Sequence, residues 1–279
     1  MSAKRLALPA FLGALLLAGC GTAVPEVRDF PNNTSEAKNN ELVQAIVRSI
    51  HCELEDAVTS VINADIDTAK ANRSYYAQFL KKWGAQVGLT LQMEEKTVVS
   101  PNTVYLPASP PSSIFTLTGG LAGTADATRV DKVNFYYKVS ELYLGRNRKC
   151  YRDDNPPTDS LLIKSDLKLR EWLDAMINGV ATGQITAVAK QNVLQHEITF
   201  EVTTSGNITP AWKLVRATFN QSGSFLTTSR DRKHDLVITF GPLDATQSGN
   251  FLIPIAESTH ITTQQTSGIA SGFKNAVGQ

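Results

Sequence analysis

Apolar residues recur at intervals of three and four along the first part of the chain. Between Glu36 and Ile62 they fall on one side of a helix, at Val43, Ile46, Val47, Ile50, Leu54, Ala57, Val58 and Val61. This spacing predicts a long amphipathic helix. Asn33 and Ser35 precede it, and either side chain can cap its first turn. A shorter stretch with the same period predicts a second helix over Ala69–Trp83.

The period then changes to two, which is typical of half-buried strands. It predicts strands over residues 87–93, 114–122, 130–144, 196–202, 212–216 and 236–240. Residues 102–113 contain three prolines and are expected to form a loop. Residues 205–207 and 221–224 contain Gly, Asn and Ser and are predicted to be turns, which favours an antiparallel meander.

One further helix is predicted over Asp166–Asn178, with Ser165 as its cap and an apolar stripe that includes Leu169, Trp172 and Leu173. Strands in two groups, interrupted by helices that do not alternate with them, predict an α+β fold. A β-sandwich with appended helices is the alternative. We expect a single globular domain over residues 34–254 and a polar C-terminal tail over residues 255–279, frayed over Gly268–Gln279.

The first twenty residues indicate export. Lys4 and Arg5 precede an apolar run over Leu6–Leu17, which is too short to cross a bilayer as a helix. The run ends in Leu17-Ala18-Gly19-Cys20, which resembles the lipobox of bacterial lipoproteins. An ordinary secretion signal that is cut elsewhere is the alternative.

That resemblance implies cleavage before Cys20, a diacylglyceryl group on its sulfur and a third acyl chain, such as palmitate, on its amine. Two or more acyl chains give stable membrane attachment. Gly21 stands where the family's inner-membrane retention signal has Asp, so the resemblance implies the periplasmic face of the outer membrane. Residues 20–33 would then be a lipidated tether. The sequence does not decide between a periplasmic and a surface-exposed orientation.

The other two cysteines form an even pair. In an oxidising compartment Cys52 and Cys150 are expected to form a disulfide that closes a loop of about 100 residues. A nucleophilic Cys52 with His51 as its base is the alternative, although adjacent residues on a helix point about 100° apart.

Composition excludes collagen-like, coiled-coil and disordered classes, because 42% of the residues are apolar and 19% are charged. Loss of Lys4 and Arg5 with the signal lowers the 27 basic residues to 25 against 26 acidic ones, a charge of −1. This balance argues against nucleic acid as a partner, since nucleic-acid binding requires a clustered basic surface.

Sequence motifs for catalysis or metal binding are weak. No Gly-x-Ser-x-Gly element occurs, and His196-Glu197 is not followed by the second histidine of a zinc protease. His51 and Glu55 are spaced i, i+4 as half a metal site, but no third ligand is evident, and we interpret them as part of a solvated helix face. His234 and Asp235 are adjacent on a predicted strand, so their side chains are expected to point to opposite faces.

Three loop features complete the candidates. Residues 153–159 carry three carboxylates that could hold calcium, but they include two prolines, and we interpret them as a polar turn. The basic runs 146–149 and 230–233 lie near predicted strand ends and are interpreted as solvated loop tips, with anionic headgroups or an acidic partner as the alternative.

The sequence therefore predicts no catalytic residues, metal site or cofactor. The resemblance favours a non-catalytic, lipid-anchored binding or structural module that contacts another envelope protein or the cell wall. A lipid-anchored hydrolase, whose active site is assembled only by folding, is the alternative.

Overall fold

The architecture is taken from a computed structural model, which describes residues 25, 36–107, 116–145, 150, 160–181, 193–209, 212–213, 217–219, 223–248 and 251–277. These residues form helices and antiparallel sheets, which confirms the predicted α+β class. The helices are α1 (Glu36–Asn72), α2 (Val139–Leu142), α3 (Leu161–Lys164), α4 (Leu169–Ala181) and α5 (Pro254–Val277). The strands are β1 (Trp83–Val99), β2 (Asn102–Tyr105), β3 (Leu117–Gly120), β4 (Gly123–Lys138), β5 (Leu194–Ile208), β6 (Trp212–Lys213), β7 (Ala217–Phe219) and β8 (Leu226–Pro242).

The strands form two four-stranded sheets. Long strands make up the first, in the order β4-β1-β8-β5, and short strands make up the second, in the order β3-β2-β7-β6. Several predicted boundaries are wrong: residues 102–105 are strand β2 and not loop, and residues 205–207 continue β5 and do not turn. Gly223, with a φ of 84°, does adopt the left-handed conformation that the second predicted turn requires.

The chain divides into two compact units, and the division falls inside the four long strands. The small-sheet unit includes Gln92–Val130 and Glu201–Lys233. The helical unit includes Arg28–Leu91, Asp131–Phe200 and His234–Gln279, and therefore all the described helices. The expectation of one domain over residues 34–254 stays a prediction.

Helix α1 supplies much of the core of the helical unit. Its predicted apolar face is buried, with Ile46, Ile50 and Leu54 at 0% exposure, and α1 packs against α4. The helix continues ten residues beyond the predicted end and stops at Asn72, before Arg73 takes a positive φ of 54°.

The predicted second helix over Ala69–Trp83 is wrong. Its first residues belong to α1, the chain then turns, and only a short 3-10 helix forms at Gln78–Lys82 before β1 begins at Trp83. The Asp65 carboxylate accepts a hydrogen bond from the Tyr76 backbone N–H at 2.6 Å, which fixes the turn. The apolar residues at the end of this stretch are too few to distinguish a helix from separately buried side chains.

The mid-chain helix is confirmed with shifted ends. It runs over Leu169–Ala181 and buries Leu169, Leu173 and Ile177. Ser165 does not cap it, because residue 165 follows α3. Instead the Asp166 carboxylate accepts a hydrogen bond from the Lys168 backbone N–H at 2.8 Å, just before α4 begins at Leu169.

The predicted frayed tail is also wrong, since Pro254–Val277 forms helix α5. Hydroxyl groups of Thr259, Thr262 and Thr266 donate to backbone carbonyls four residues earlier, at 2.7–2.8 Å. Ala256 and His260 on its inner face have no exposed surface. None of the helices in the described ranges is long and apolar enough to cross a membrane.

Gly88 of β1 allows α5 to approach the sheet closely. A Cβ atom at residue 88 would overlap the Gln264 amide and lie 2.9 Å from Nε2 of His260. We expect Gly88→Ala to lower the free energy of unfolding by about 1–3 kcal/mol, because the added methyl group would overpack this contact. Urea denaturation measures the change. Gly206→Ala in β5 is the matched control, since its Cβ would meet Thr228 at an ordinary 3.9 Å, and an equal loss in both variants would contradict the prediction.

Candidate functional site

The predicted disulfide is present and joins α1 to a distant part of the chain. Cys52 and Cys150 are bonded, with their Cα atoms 5.2 Å apart and a sequence separation of 98. Two hydrogen bonds hold Tyr143 and Leu144 against α1: the Leu144 N–H donates to Oγ1 of Thr59 at 3.1 Å, and the Tyr143 hydroxyl donates to Asn63 at 3.0 Å. The bond to Cys52 holds the sulfur of Cys150 beside α1.

His51 and Glu55 lie on the same turn of α1 as the disulfide. Their side chains are 3.7 Å apart, from Nε2 to Oε1, as the i, i+4 spacing predicts. Their interpretation as a solvated face is wrong for Glu55, which is 8% exposed. Burial raises the pKa of the Glu55 carboxyl above its ordinary 4.5, and nearby His51 opposes this shift.

Sequence reasoning missed the third member of this cluster. Sγ of Cys150, a ligand atom of His51 and a carboxylate oxygen of Glu55 all lie within 4.8 Å of one another. Cys150 is remote in sequence, so only the predicted disulfide could have signalled its approach to Glu55. We call these three residues the disulfide cluster.

Tyr137 of β4 packs against the disulfide cluster. Its ring centroid lies 4.7 Å from that of His51, at an interplanar angle of 46°. Burial and the Glu55 charge raise the pKa of the Tyr137 hydroxyl, so it stays protonated at neutral pH. The tyrosine restricts the orientation of the imidazole, and the site contains one base, one buried acid and a closed disulfide.

A second polar group lies beneath α5. Thr263 donates to Oε1 of Gln195 at 3.0 Å, and Nε2 of Gln195 donates to Oγ1 of Thr239 at 3.2 Å. Oγ1 of Thr239 lies 2.8 Å from Nδ1 of His260, and since it already accepts from Gln195, its proton is available to Nδ1. Burial lowers the pKa of His260 from 6.5 to about 4. This buried row fixes α5 to β5 and β8.

The remaining histidines considered in the sequence have structural contacts. His196 stacks on Trp172 with ring centroids 4.8 Å apart, and its Nε2 lies 3.3 Å from the Leu167 carbonyl oxygen. Asp235 is 4% exposed and accepts from the Thr199 hydroxyl at 2.6 Å, while adjacent His234 is 5% exposed. Adjacent residues of a strand point to opposite faces, and both His234 and Asp235 are buried, so each packs in the interior.

An apolar surface is exposed on the small sheet, where Tyr105 of β2 pairs in register with Leu117 of β3. These residues are 45% and 56% exposed, and Leu121, just after β3, is 79% exposed. Among the residues that the structure describes, β3 is the last strand on its side of the sheet, and all four of its residues are exposed. We call this feature the β3 edge; it combines an open strand with apolar side chains at both ends.

The basic run 230–233 is not a loop tip. It lies inside β8, and Arg230 is 15% exposed in its side chain and pairs with Glu95 at 3.2 Å. The run is half-buried throughout, which removes it as a simple headgroup-binding loop. Cys20, the basic run 146–149 and the acidic run 153–159 lie outside the described residues.

No protein-family model matches the chain, and no curated protein matches it. Among solved structures it is similar to the InvG secretin of the Salmonella SPI-1 type III secretion injectisome, at 12% identity over 72% of this chain and 74% of that one, with a TM-score of 0.15. A basal-body model of InvG, PrgH and PrgK gives 12% identity over 72% and 52% of the two chains, also with a TM-score of 0.15. The InvG β-barrel gives 10% identity over 73% and 72%, with a TM-score of 0.14. Scores this low do not define a shared fold.

Proposed function

We propose that this chain is a lipid-anchored, non-catalytic module of the bacterial envelope. In this proposal acyl chains on Cys20 hold it at the periplasmic face of the outer membrane. Its folded body binds an extended segment of another envelope protein at the β3 edge.

The β3 edge is the observation that carries the proposal. A strand at the edge of a sheet presents backbone groups on which a further strand can pair. Leu117 and Leu121 lie four positions apart in the sequence. An extended partner segment that spans this distance would bury apolar surface at both ends of β3. A protein segment supplies both the backbone pairing and the apolar contacts. The sugar chain of cell-wall glycan has no peptide backbone and therefore cannot add a strand to the sheet.

Two other features support an envelope setting. The lipobox resemblance at residues 17–20 supports export and acylation. The Cys52–Cys150 disulfide fits an oxidising compartment such as the periplasm.

Anchoring is tested by replacing the acylated residue. We expect Cys20→Ser to abolish acylation, so that intact-mass measurement finds no acyl groups and the protein leaves the membrane fraction. The control is Cys52→Ser/Cys150→Ser, which leaves Cys20 unchanged and is expected to stay acylated. An unmodified mass for the unaltered protein isolated from its own cells would contradict lipid anchoring.

Binding is tested by site-specific photocrosslinking in intact cells. A photoreactive residue at position 117 is expected to capture a defined protein, and Leu121→Asp is expected to lower that yield at least about tenfold, because a charge would be buried against the partner. Position 257, at exposed Glu257 of α5, is the control for random collisions. Equal yields at positions 117 and 257, or capture that Leu121→Asp leaves unchanged, would contradict binding at the β3 edge.

A further inference from the structure

The disulfide cluster contains three different metal-ligand types on a rigid support. His51 and Glu55 project from one turn of a 37-residue helix, and the bond to Cys52 on the same turn holds Cys150 beside them. Imidazole, carboxylate and thiolate are all zinc ligands, and catalytic zinc sites use three protein ligands with a fourth position open to water.

The spacing of the ligand atoms is close to what such a site needs. Zinc–ligand bonds of about 2.0–2.3 Å in tetrahedral geometry place neighbouring ligand atoms about 3.3–3.6 Å apart. His51 Nε2 and Glu55 Oε1 are already 3.7 Å apart, and Cys150 Sγ lies within 4.8 Å of both residues' ligand atoms. A side-chain movement of about an ångström, available once Sγ is no longer tied to Cys52, would complete the triangle.

We propose that reduction of the Cys52–Cys150 disulfide converts this cluster into a binding site for a divalent zinc-type ion, held by Cys150, His51 and Glu55. The disulfide and the metal are mutually exclusive, since both require the sulfur of Cys150. The site is therefore a redox-controlled metal site, and it is independent of lipid anchoring and of the β3 edge.

Opening the disulfide requires a thiol reductant. Two thiols, or one dithiol, give two electrons and two protons to the Cys52–Cys150 bond and are themselves oxidised to a disulfide. The metal then displaces the proton from the Cys150 thiol as the sulfur–metal bond forms. Glu55 enters as the carboxylate, and the positive ion offsets the burial that otherwise disfavours its charge.

The environment of the ligands supports metal binding over a simple ion pair. An exposed pair needs no further partner, but Glu55 is only 8% exposed. Tyr137 packs on the imidazole, with the ring centroids 4.7 Å apart, and restricts its movement. A half-exposed His51 leaves a path for the ion and a water molecule.

The test uses the full chain with Cys20→Ser, so that Cys52 and Cys150 are the only cysteines. Zn²⁺ binding is measured by calorimetry on the reduced and the oxidised protein, and Co²⁺ serves as a spectroscopic probe of thiolate ligation. We expect one Zn²⁺ per reduced chain and at least about tenfold weaker binding to the oxidised chain. Absence of Zn²⁺ binding to the reduced chain would overturn the proposal.

Ligand variants separate this site from adventitious binding by loose thiols. In the reduced chain His51→Ala, Glu55→Gln and Cys150→Ser are each expected to weaken Zn²⁺ binding at least about tenfold. Cys52→Ser, which also prevents disulfide formation without a reductant, is expected to retain binding. Glu53→Gln is the matched control for loss of a carboxylate on the same helical turn.

Unfolding of the reduced chain would not mimic the expected pattern. An unfolded chain would bind metal through its two thiols, so Cys52→Ser would weaken binding as much as Cys150→Ser and Glu55→Gln would have no effect. That result, with loss of the helical circular dichroism signal, would overturn the proposal.

Discussion

Replacing both bridging cysteines, as Cys52→Ala/Cys150→Ala, should lower the free energy of unfolding by about 2–5 kcal/mol. The disulfide closes a separation of 98 residues, and a loop of this length is worth about 4.7 kcal/mol when the stabilisation is attributed to the lost entropy of the unfolded chain. Cys52 is 1% exposed, so its truncation also removes buried contacts. The effect places this bond among the strongest single contributions in the helical unit.

Urea denaturation followed by circular dichroism measures this change under oxidising conditions. Cys20→Ser is the control for removal of a cysteine without removal of the disulfide, and its folded body should unfold as the unaltered chain does. Reduction of the unaltered protein should reproduce the loss, and added Zn²⁺ should restore part of it if the disulfide cluster binds metal. A loss under about 1 kcal/mol in the double variant would show that the bridge adds little to the packing around it.

Acid should destabilise the protein through His260 as the pH falls below 6.5. Burial lowers the pKa of folded His260 to about 4, whereas the unfolded value is 6.5, so the unfolded state binds the proton more tightly. The contribution of neutral His260 to the free energy of unfolding is fully present above pH 6.5, and it is lost as the pH falls from 6.5 to about 4. The difference between these pKa values corresponds to about 3 kcal/mol.

Unfolding free energies measured across pH 4–7 check this expectation. His260→Gln, which keeps a polar side chain beside Thr239, should be less stable at pH 7 and should flatten the slope between pH 4 and 6.5. His196→Gln is the matched control, because His196 lies outside the buried row and stacks on Trp172. An unchanged slope in His260→Gln would show that other groups cause the acid response.

The disulfide cluster shows which parts of the site can be predicted from the sequence. Two of its residues, His51 and Glu55, were identified as a spaced pair, and cysteine parity correctly joined Cys150 to Cys52. Their combination was missed because a pattern within one helix reveals only i, i+4 neighbours. The burial of Glu55 depends on which residues pack over α1, and the sequence of α1 alone does not identify them.

Helix α5 is an element that the sequence pattern does not predict. Its residues between 258 and 268 are rich in Ser and Thr, which have modest helix propensity, and they form no apolar stripe. The inner face is instead small and polar, with Ala256, His260, Thr263 and Gln264 at helical spacing. Thr263 contacts Gln195 on β5, and Nδ1 of His260 contacts Thr239 on β8. His260 and Gln264 lie over Gly88 of β1, so the helix depends on contacts that lie far away in the chain.

The sequence by itself determined the α+β class, the long apolar face of α1, the alternation of β1 and the pairing of the two bridging cysteines. These features follow from local periodicity and from counting residues, and neither requires knowledge of distant neighbours. Only the tertiary structure decided that the C-terminal segment is helical, that Glu55 is buried beside Cys150, and that β3 is an exposed edge. Each of these depends on which surfaces meet, because burial and pairing arise between segments that are separated in sequence.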